Sequence, residues 1–202
     1  MSSAGERLGV FGGTFDPIHV GHLAAAKNAI ECARLDRVIL MPTGRPPHRG
    51  PAAASPEHRL AMTRLAASED PRFEVSDIEL QRPGASFTSD TLRELRTRHP
   101  RGELFLILGW DAARLFNAWH EPELVRDLAT IVVVARPGVG APQAEDIVAA
   151  GIDPERVIVC LDVTPDVSAS GIRNEVRNGR SIAGKVPPAV ERYITAHHLY
   201  SE

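Results

Sequence analysis

Short, almost wholly apolar runs alternate along the chain with longer runs whose apolar residues recur at helical spacing. The segments "RLGVFGG", "RVILMPTG", "ELFLILGW", "ATIVVVARPG" and "RVIVCLDV" read as strands. The near-continuous apolar character of "ATIVVVARPG" is the pattern of a strand covered on both faces. "HVGHLAAAKNAIECARL", "SPEHRLAMTRLAASE", "TSDTLRELRTRH" and "DAARLFNAW" read as helices, and "FEVSDIELQ" as extended. Ser55 followed by Pro56 predicts a capped helix start, and Thr88 or Ser89 predicts another. "SASGIRNEVRNG" and "PPAVERYITAHHLY" predict two closing helices separated by a Gly-containing loop. This alternation predicts an α/β fold with a doubly wound parallel sheet, residues 1–202 forming a single domain. In such sheets ligands bind beyond the carboxyl ends of strands, where the strand order reverses.

Composition narrows the partners. The 202 residues are 43% hydrophobic and 24% charged, with a formal net charge of −3. No Lys/Arg block stands out, so broad binding to nucleic acid is not expected. Cys32 and Cys160 each lie in an apolar segment and form no C-x-x-C pair, so they read as buried reduced thiols. The start "MSSAGERLGV" has no signal-peptide core, and no apolar run approaches the roughly 18 residues of a membrane span. The expectation is a cytoplasmic protein that does not bind membranes.

The stretch "VFGGTFDPIHVGHL" changes the picture most. It joins the first strand to the first helix. Gly12 and Gly13 permit close backbone approach, and Asp16 followed by Pro17 predicts a helix cap and first turn. The helix start then offers N–H donors and a positive dipole end to an anion. His19 and His22, three apart, share a helix face. Gly21 between them costs roughly 1 kcal/mol against Ala, which a ligand pressed on its Cα would explain. Unrelated imidazoles and a zinc pair are the alternatives, but no further ligand on the turn completes a zinc set. Glycines, helix start and shared face together favour phosphate recognition through imidazole N–H groups.

"GGTFDPIHVGHL" resembles the signature of the H-x-G-H nucleotidyltransferase superfamily. From first strand to last helix the chain is similar to the bacterial nicotinate-nucleotide adenylyltransferases. "VSASGIR" at residues 167–173 resembles that family's second signature, and the "PPH" at 46–48 and closing "VPPAVERYITAHHLY" its loop and tail. The resemblance implies a Rossmann-like fold and transfer of the adenylyl group of ATP to nicotinate mononucleotide. It places His19, His22 and Arg173 in catalysis and Gly12, Gly13, Thr14, Gly21, Gly109, Asp111 and Ser168 around ATP. Thr88, Trp119, His120, His48, Arg49 and Arg136 are the implied substrate contacts. Residues from about 168 to 202 would complete the ATP site. Mg²⁺ is implied as a cofactor carried mainly by the ATP phosphates, with no metal site of the protein's own.

Several residues carry a second reading. Ser168 or Ser170 can cap a helix whose first turn holds Arg173, a cation unfavourable there without an anion. Asp111 could cap a helix instead of accepting from ribose, and Trp119 could be core. Trp110 and Ala169 depart from the family pattern. "GRSIAGKV" fits part of a phosphate-loop motif, but Val186 replaces its Ser/Thr, so it reads as a plain loop. Nicotinamide mononucleotide or phosphopantetheine as acceptor, or a non-catalytic nucleotide-binding regulator, are the competing functions.

Overall fold

The computed structural model describes residues 5–45, 50–135, 142–162 and 164–201. The strands are β1 (Arg7–Gly13), β2 (Arg37–Pro42), β3 (Phe73–Val75), β4 (Glu103–Gly109), β5 (Ala129–Val134) and β6 (Val157–Cys160). Helices α1 (Val20–Ala33), α2 (Pro56–Ala67), α3 (Ile78–Gln81), α4 (Thr88–Arg98) and α5 (Trp110–Ala113) lie in the first part of the chain. They are followed by α6 (Pro122–Leu128), α7 (Ala144–Ala149), α8 (Ala169–Arg177) and α9 (Pro188–Ala196). One six-stranded sheet has the order β3-β2-β1-β4-β5-β6. The order reverses after β1, as a doubly wound, Rossmann-like sheet requires.

The chain divides into two compact units. The first is Met1–Phe11, Ala25–Ile39 and Phe87–Thr164. Here β1 pairs in parallel with β4, β4 with β5, and β5 with β6. The apolar runs behave as predicted: Leu104 to Leu108 and Ile131 to Val134 are buried without alternation. Gly9 is small for a packing reason, because a Cβ there would come within 2.8 Å of Leu35 and Val38. α1 contributes Ala25, Ala26, Ala29, Ile30 and Ala33 to this core.

The reduced-thiol expectation for Cys32 and Cys160 does not hold. They form a disulfide with a Cα–Cα distance of 5.8 Å, joining the last turn of α1 to the end of β6. Beside it, the Asn28 amide donates to the Asp162 carbonyl at 2.9 Å. A sequence separation of 128 hides such a pairing from any spacing rule.

The second unit is Gly12–Ala24, Leu40–Ser86 and Pro165–Glu202. Ser55 caps α2 as predicted, its side chain accepting from the His58 N–H, with Pro56 opening the helix. "FEVSDIELQ" is extended only over Phe73–Val75 and then turns into α3. The Gly179–Val186 segment is a turn between helices. Gly179 and Gly184 take φ of +65° and +75° there, and Lys185 pairs with Glu175.

Among the described residues no helix is long and apolar enough to cross a membrane.

Candidate active site

The second unit carries the opening motif, and its geometry is set by backbone demands around β1. After Gly13 the chain turns through Phe15, whose φ of +48° is left-handed. A bulky residue there costs roughly 1–2 kcal/mol and persists only where its surroundings over-determine it. The Phe15 ring is buried and folds back on Gly13, where a Cβ would come within 2.6 Å of it. The same ring meets His22 edge-on at 5.0 Å between centroids.

The two histidines occupy a helix start, although not as two residues on one helical face. α1 begins at Val20, so His19 is the residue just outside it. Its carbonyl accepts from the His22 and Leu23 N–H groups at 2.9 and 3.3 Å. In return, the His19 N–H donates to His22 Nδ1 at 3.3 Å. That bond is one arm of a capping box, with His22 in the place usually held by Glu or Gln. Its chemical consequence is a tautomer: Nδ1 accepts, so the neutral ring carries its proton on Nε2. The rings stack at 3.6 Å with 25° between planes.

Gly21 is explained within the chain itself. A Cβ there would meet the His19 ring at 3.1 Å and the Pro165 carbonyl oxygen at 3.3 Å. Gly12 is the opposite case, for a Cβ would meet nothing within 4 Å. The helix start is also less open than predicted, since the Val20 N–H donates to the Lys185 carbonyl at 3.0 Å.

Asp16 is not the helix cap. Its carboxylate is buried and accepts from the Ala53 and Ala54 N–H groups at 2.7 and 3.0 Å. It also accepts from the Tyr200 hydroxyl at 2.8 Å. Arg173 Nη1 donates to the Asp16 carbonyl at 2.7 Å and lies 3.8 Å from its carboxylate. Ser168 caps α8, accepting from the Gly171 N–H at 3.1 Å. Ala169 opens that helix, so Arg173 sits in its second turn rather than its first.

Sequence reasoning missed Arg59. It is 1% exposed, and its Nη1 donates to the carbonyls of Thr14 and Thr43 at 2.7 and 2.9 Å. A Thr43 N–H to Gly13 carbonyl bond of 2.8 Å adds a second tie between the segments after β1 and β2. Burial pushes the Arg59 guanidinium down from its usual range, and the Asp16 charge opposes that shift. An Arg in an amphipathic helix carries no signal of such a role.

The first unit holds the other predicted contacts. Gly109 ends β4 and precedes α5, whose second residue Asp111 is exposed and makes no cap bond. Trp110 opens that helix, half-buried. α4 is preceded by Phe87, not capped by Thr88 or Ser89. Thr88 is its first residue, and the Phe87 ring lies 4.2 Å from that of His120. Trp119 is half-buried against Phe116, centroids 5.5 Å apart. Glu121 follows with a left-handed φ of +49° and pairs with Arg93 at 3.1 Å. The Ser89 hydroxyl and the Arg93 guanidinium hold the Glu121 carboxyl below the usual range. His48, Arg49 and Arg136 lie outside the described residues.

A sequence profile of the cytidylyltransferase-like family matches residues 10–175. A Thermus thermophilus protein named as a probable nicotinate-nucleotide adenylyltransferase is 48% identical over 194 residues, covering 96% of this chain and 99% of that one. The chain belongs to the nicotinate-nucleotide adenylyltransferases. A second such relative, from Roseiflexus sp., is 46% identical over 205 residues and covers 99% of this chain and 100% of its own. The fold agrees with that of a solved Plasmodium falciparum nicotinic acid mononucleotide adenylyltransferase complexed with NaAD. The TM-score is 0.78 at 18% identity, covering 96% of this chain and 97% of that one.

Proposed function

We propose that, in this nicotinate-nucleotide adenylyltransferase of NAD biosynthesis, the opening turn and the start of α8 form the berth for the ATP polyphosphate. The observation that carries this reading is the His19–His22 bond, which leaves a proton on His22 Nε2 for donation to a phosphate oxygen. Arg173, tied to the Asp16 carbonyl in the same unit, supplies the cation for the β- and γ-phosphates. Gly12, Gly13, Thr14 and Ser168 line the berth. The open space over Gly12 is where a phosphate can approach the backbone. Gly21 serves nucleoside binding by keeping the His19 ring close to the helix.

Nicotinate mononucleotide attacks with an oxygen of its own 5′-phosphate. The new P–O bond forms at the α-phosphorus as the bond to pyrophosphate breaks in line, giving the dinucleotide and free pyrophosphate. No side-chain nucleophile is needed. His19 and His22 donate to the oxygens on which charge gathers, and Arg173 with Ser168 holds the departing pyrophosphate. Residues 168–202 complete the berth, as the bonds from Arg173 and Tyr200 to Asp16 and from Val20 to Lys185 support. In the first unit, Gly109 and Asp111 remain proposed ribose contacts, and Thr88, Trp119 and His120 proposed contacts of the nicotinate ring. His48, Arg49 and Arg136 remain proposed anion contacts. The two compact units together make one nucleotidyltransferase domain, in keeping with a family match that spans both.

Mg²⁺ fits as an ion held by the nucleotide. Among the described residues no group of three His, Cys, Asp or Glu side chains could hold a metal. The Asp16 oxygens are already engaged by Ala53, Ala54 and Tyr200. Bound to ATP, Mg²⁺ supplies charge neutralisation on the phosphates.

The substrate assignment is tested by pyrophosphate release from ATP with nicotinate mononucleotide, nicotinamide mononucleotide and phosphopantetheine in parallel. Release that depends on the acid, at a kcat/KM at least about tenfold above the amide, is expected for a site that pairs the carboxylate. Equal rates on acid and amide contradict that preference, and release without any acceptor contradicts adenylyl transfer.

A further inference from the structure

Tyr200 lies beyond the last helix, at the end of the closing stretch that resembles the family's tail. The segment that delivers it is strained: His198 and Tyr200 have φ of +50° and +65°, both left-handed. Non-glycine residues persist there only when the surroundings fix them. Three bonds do so. The His198 and Leu199 N–H groups donate to the Thr195 and Ile194 carbonyls at 3.2 and 3.0 Å, and the Tyr200 hydroxyl donates to Asp16 Oδ1 at 2.8 Å. Burial and the adjacent Asp16 charge push the Tyr200 hydroxyl far above the usual phenol range, so it stays a donor at any working pH.

Asp16 therefore joins three other segments of the second unit to its own. Its two oxygens serve the Ala53 and Ala54 N–H groups and Tyr200, while its carbonyl accepts from Arg173. An ionised carboxylate beside a guanidinium ordinarily closes into a two-bond fork. Here Arg173 Nη1 stays 3.8 Å from Asp16 Oδ2 and bonds to the backbone oxygen instead. A guanidinium has five N–H donors, and one anchored at a carbonyl keeps the rest of its fork for a phosphate.

We infer that Tyr200 is a positioning residue for adenylyl transfer: by occupying Asp16 Oδ1, it keeps the 3.8 Å ion pair between Arg173 and Asp16 from closing into a hydrogen-bonded fork and holds Arg173 ready for the triphosphate. This rests on the reading of Arg173 as a phosphate ligand. Without the Tyr200 hydroxyl, Asp16 Oδ1 can accept from Arg173, and the cation is withdrawn from the nucleotide.

A double-mutant cycle on the whole chain tests this, with thermal melts confirming that each variant is folded. Tyr200→Phe is expected to lower kcat/KM for ATP about tenfold, the loss of one charge-assisted hydrogen bond. KM for nicotinate mononucleotide should stay within about twofold, because no positive charge on that side is altered. In an Arg173→Ala background the same Tyr200→Phe change is expected to cost less than about twofold, since the two residues act through one contact. Asp16→Asn serves as the second variant: with the carboxylate charge gone nothing draws Arg173 from the nucleotide, so Tyr200→Phe in that background is expected to cost less than about twofold. An equal cost of Tyr200→Phe in both backgrounds, or no cost in the parent, overturns this inference alone. An Arg173→Ala variant as active as the parent overturns the reading of Arg173 and this inference with it.

Discussion

Replacing His22 with Ala is expected to lower kcat about 100- to 1000-fold, the scale seen when one preorganised donor to a developing negative charge is removed. KM for ATP should change far less, because the contact strengthens as the α-phosphorus becomes five-coordinate. Stability should fall too, by about 1 kcal/mol, since the His19 N–H loses its capping partner. The two effects separate in His22→Glu. A carboxylate at that position can accept from the His19 N–H and restore the cap, but it offers no N–H to phosphate. A melting temperature near that of the parent with activity as low as His22→Ala is the expected pair of results. Recovery of activity in His22→Glu would mean that the histidine serves only as a cap.

The second large effect is on stability. Arg59→Met is expected to destabilise the fold by about 3 kcal/mol, because the carbonyls of Thr14 and Thr43 lose their shared donor. In a chain of this length that is a melting temperature lower by roughly 6–12 °C. Met fills most of the aliphatic volume, so the loss reports on the guanidinium rather than on a cavity. Differential scanning calorimetry decides it. An unchanged melting temperature would mean that Arg59 does not brace the two strand ends.

Sheet and helix positions were legible because they rest on short-range pattern. The unbroken apolar runs of β4 and β5 could only be covered strands, and Ser55-Pro56 could only be a helix start. The edges were less legible. Phe73–Val75 is short, and the mixed apolar and polar residues that follow it fold into a four-residue helix. α6 and α7 carried no apolar stripe long enough to announce them, although Pro122 and the Asp146 carboxylate, which accepts from the Gln143 N–H at 3.0 Å, mark their starts.

At the proposed site, local rules misread the geometry of the opening stretch. Local rules assign Asp16 to the nearest helix, yet its partners lie 37, 38 and 184 positions away. The disulfide and the Arg59 brace are likewise decided by tertiary packing, which no window of sequence contains. The His19–His22 relation was visible as spacing, but its capping bond depends on where the helix begins, a boundary that pattern alone leaves uncertain by a residue or two.

The most direct measurement is a crystal structure of the protein with a nonhydrolysable ATP analogue. A phosphate lying over Gly12, with oxygens within about 3.2 Å of His22 Nε2 and of the Arg173 guanidinium, is the expected result. A fully bound analogue whose phosphates touch neither His22 nor Arg173 would contradict it.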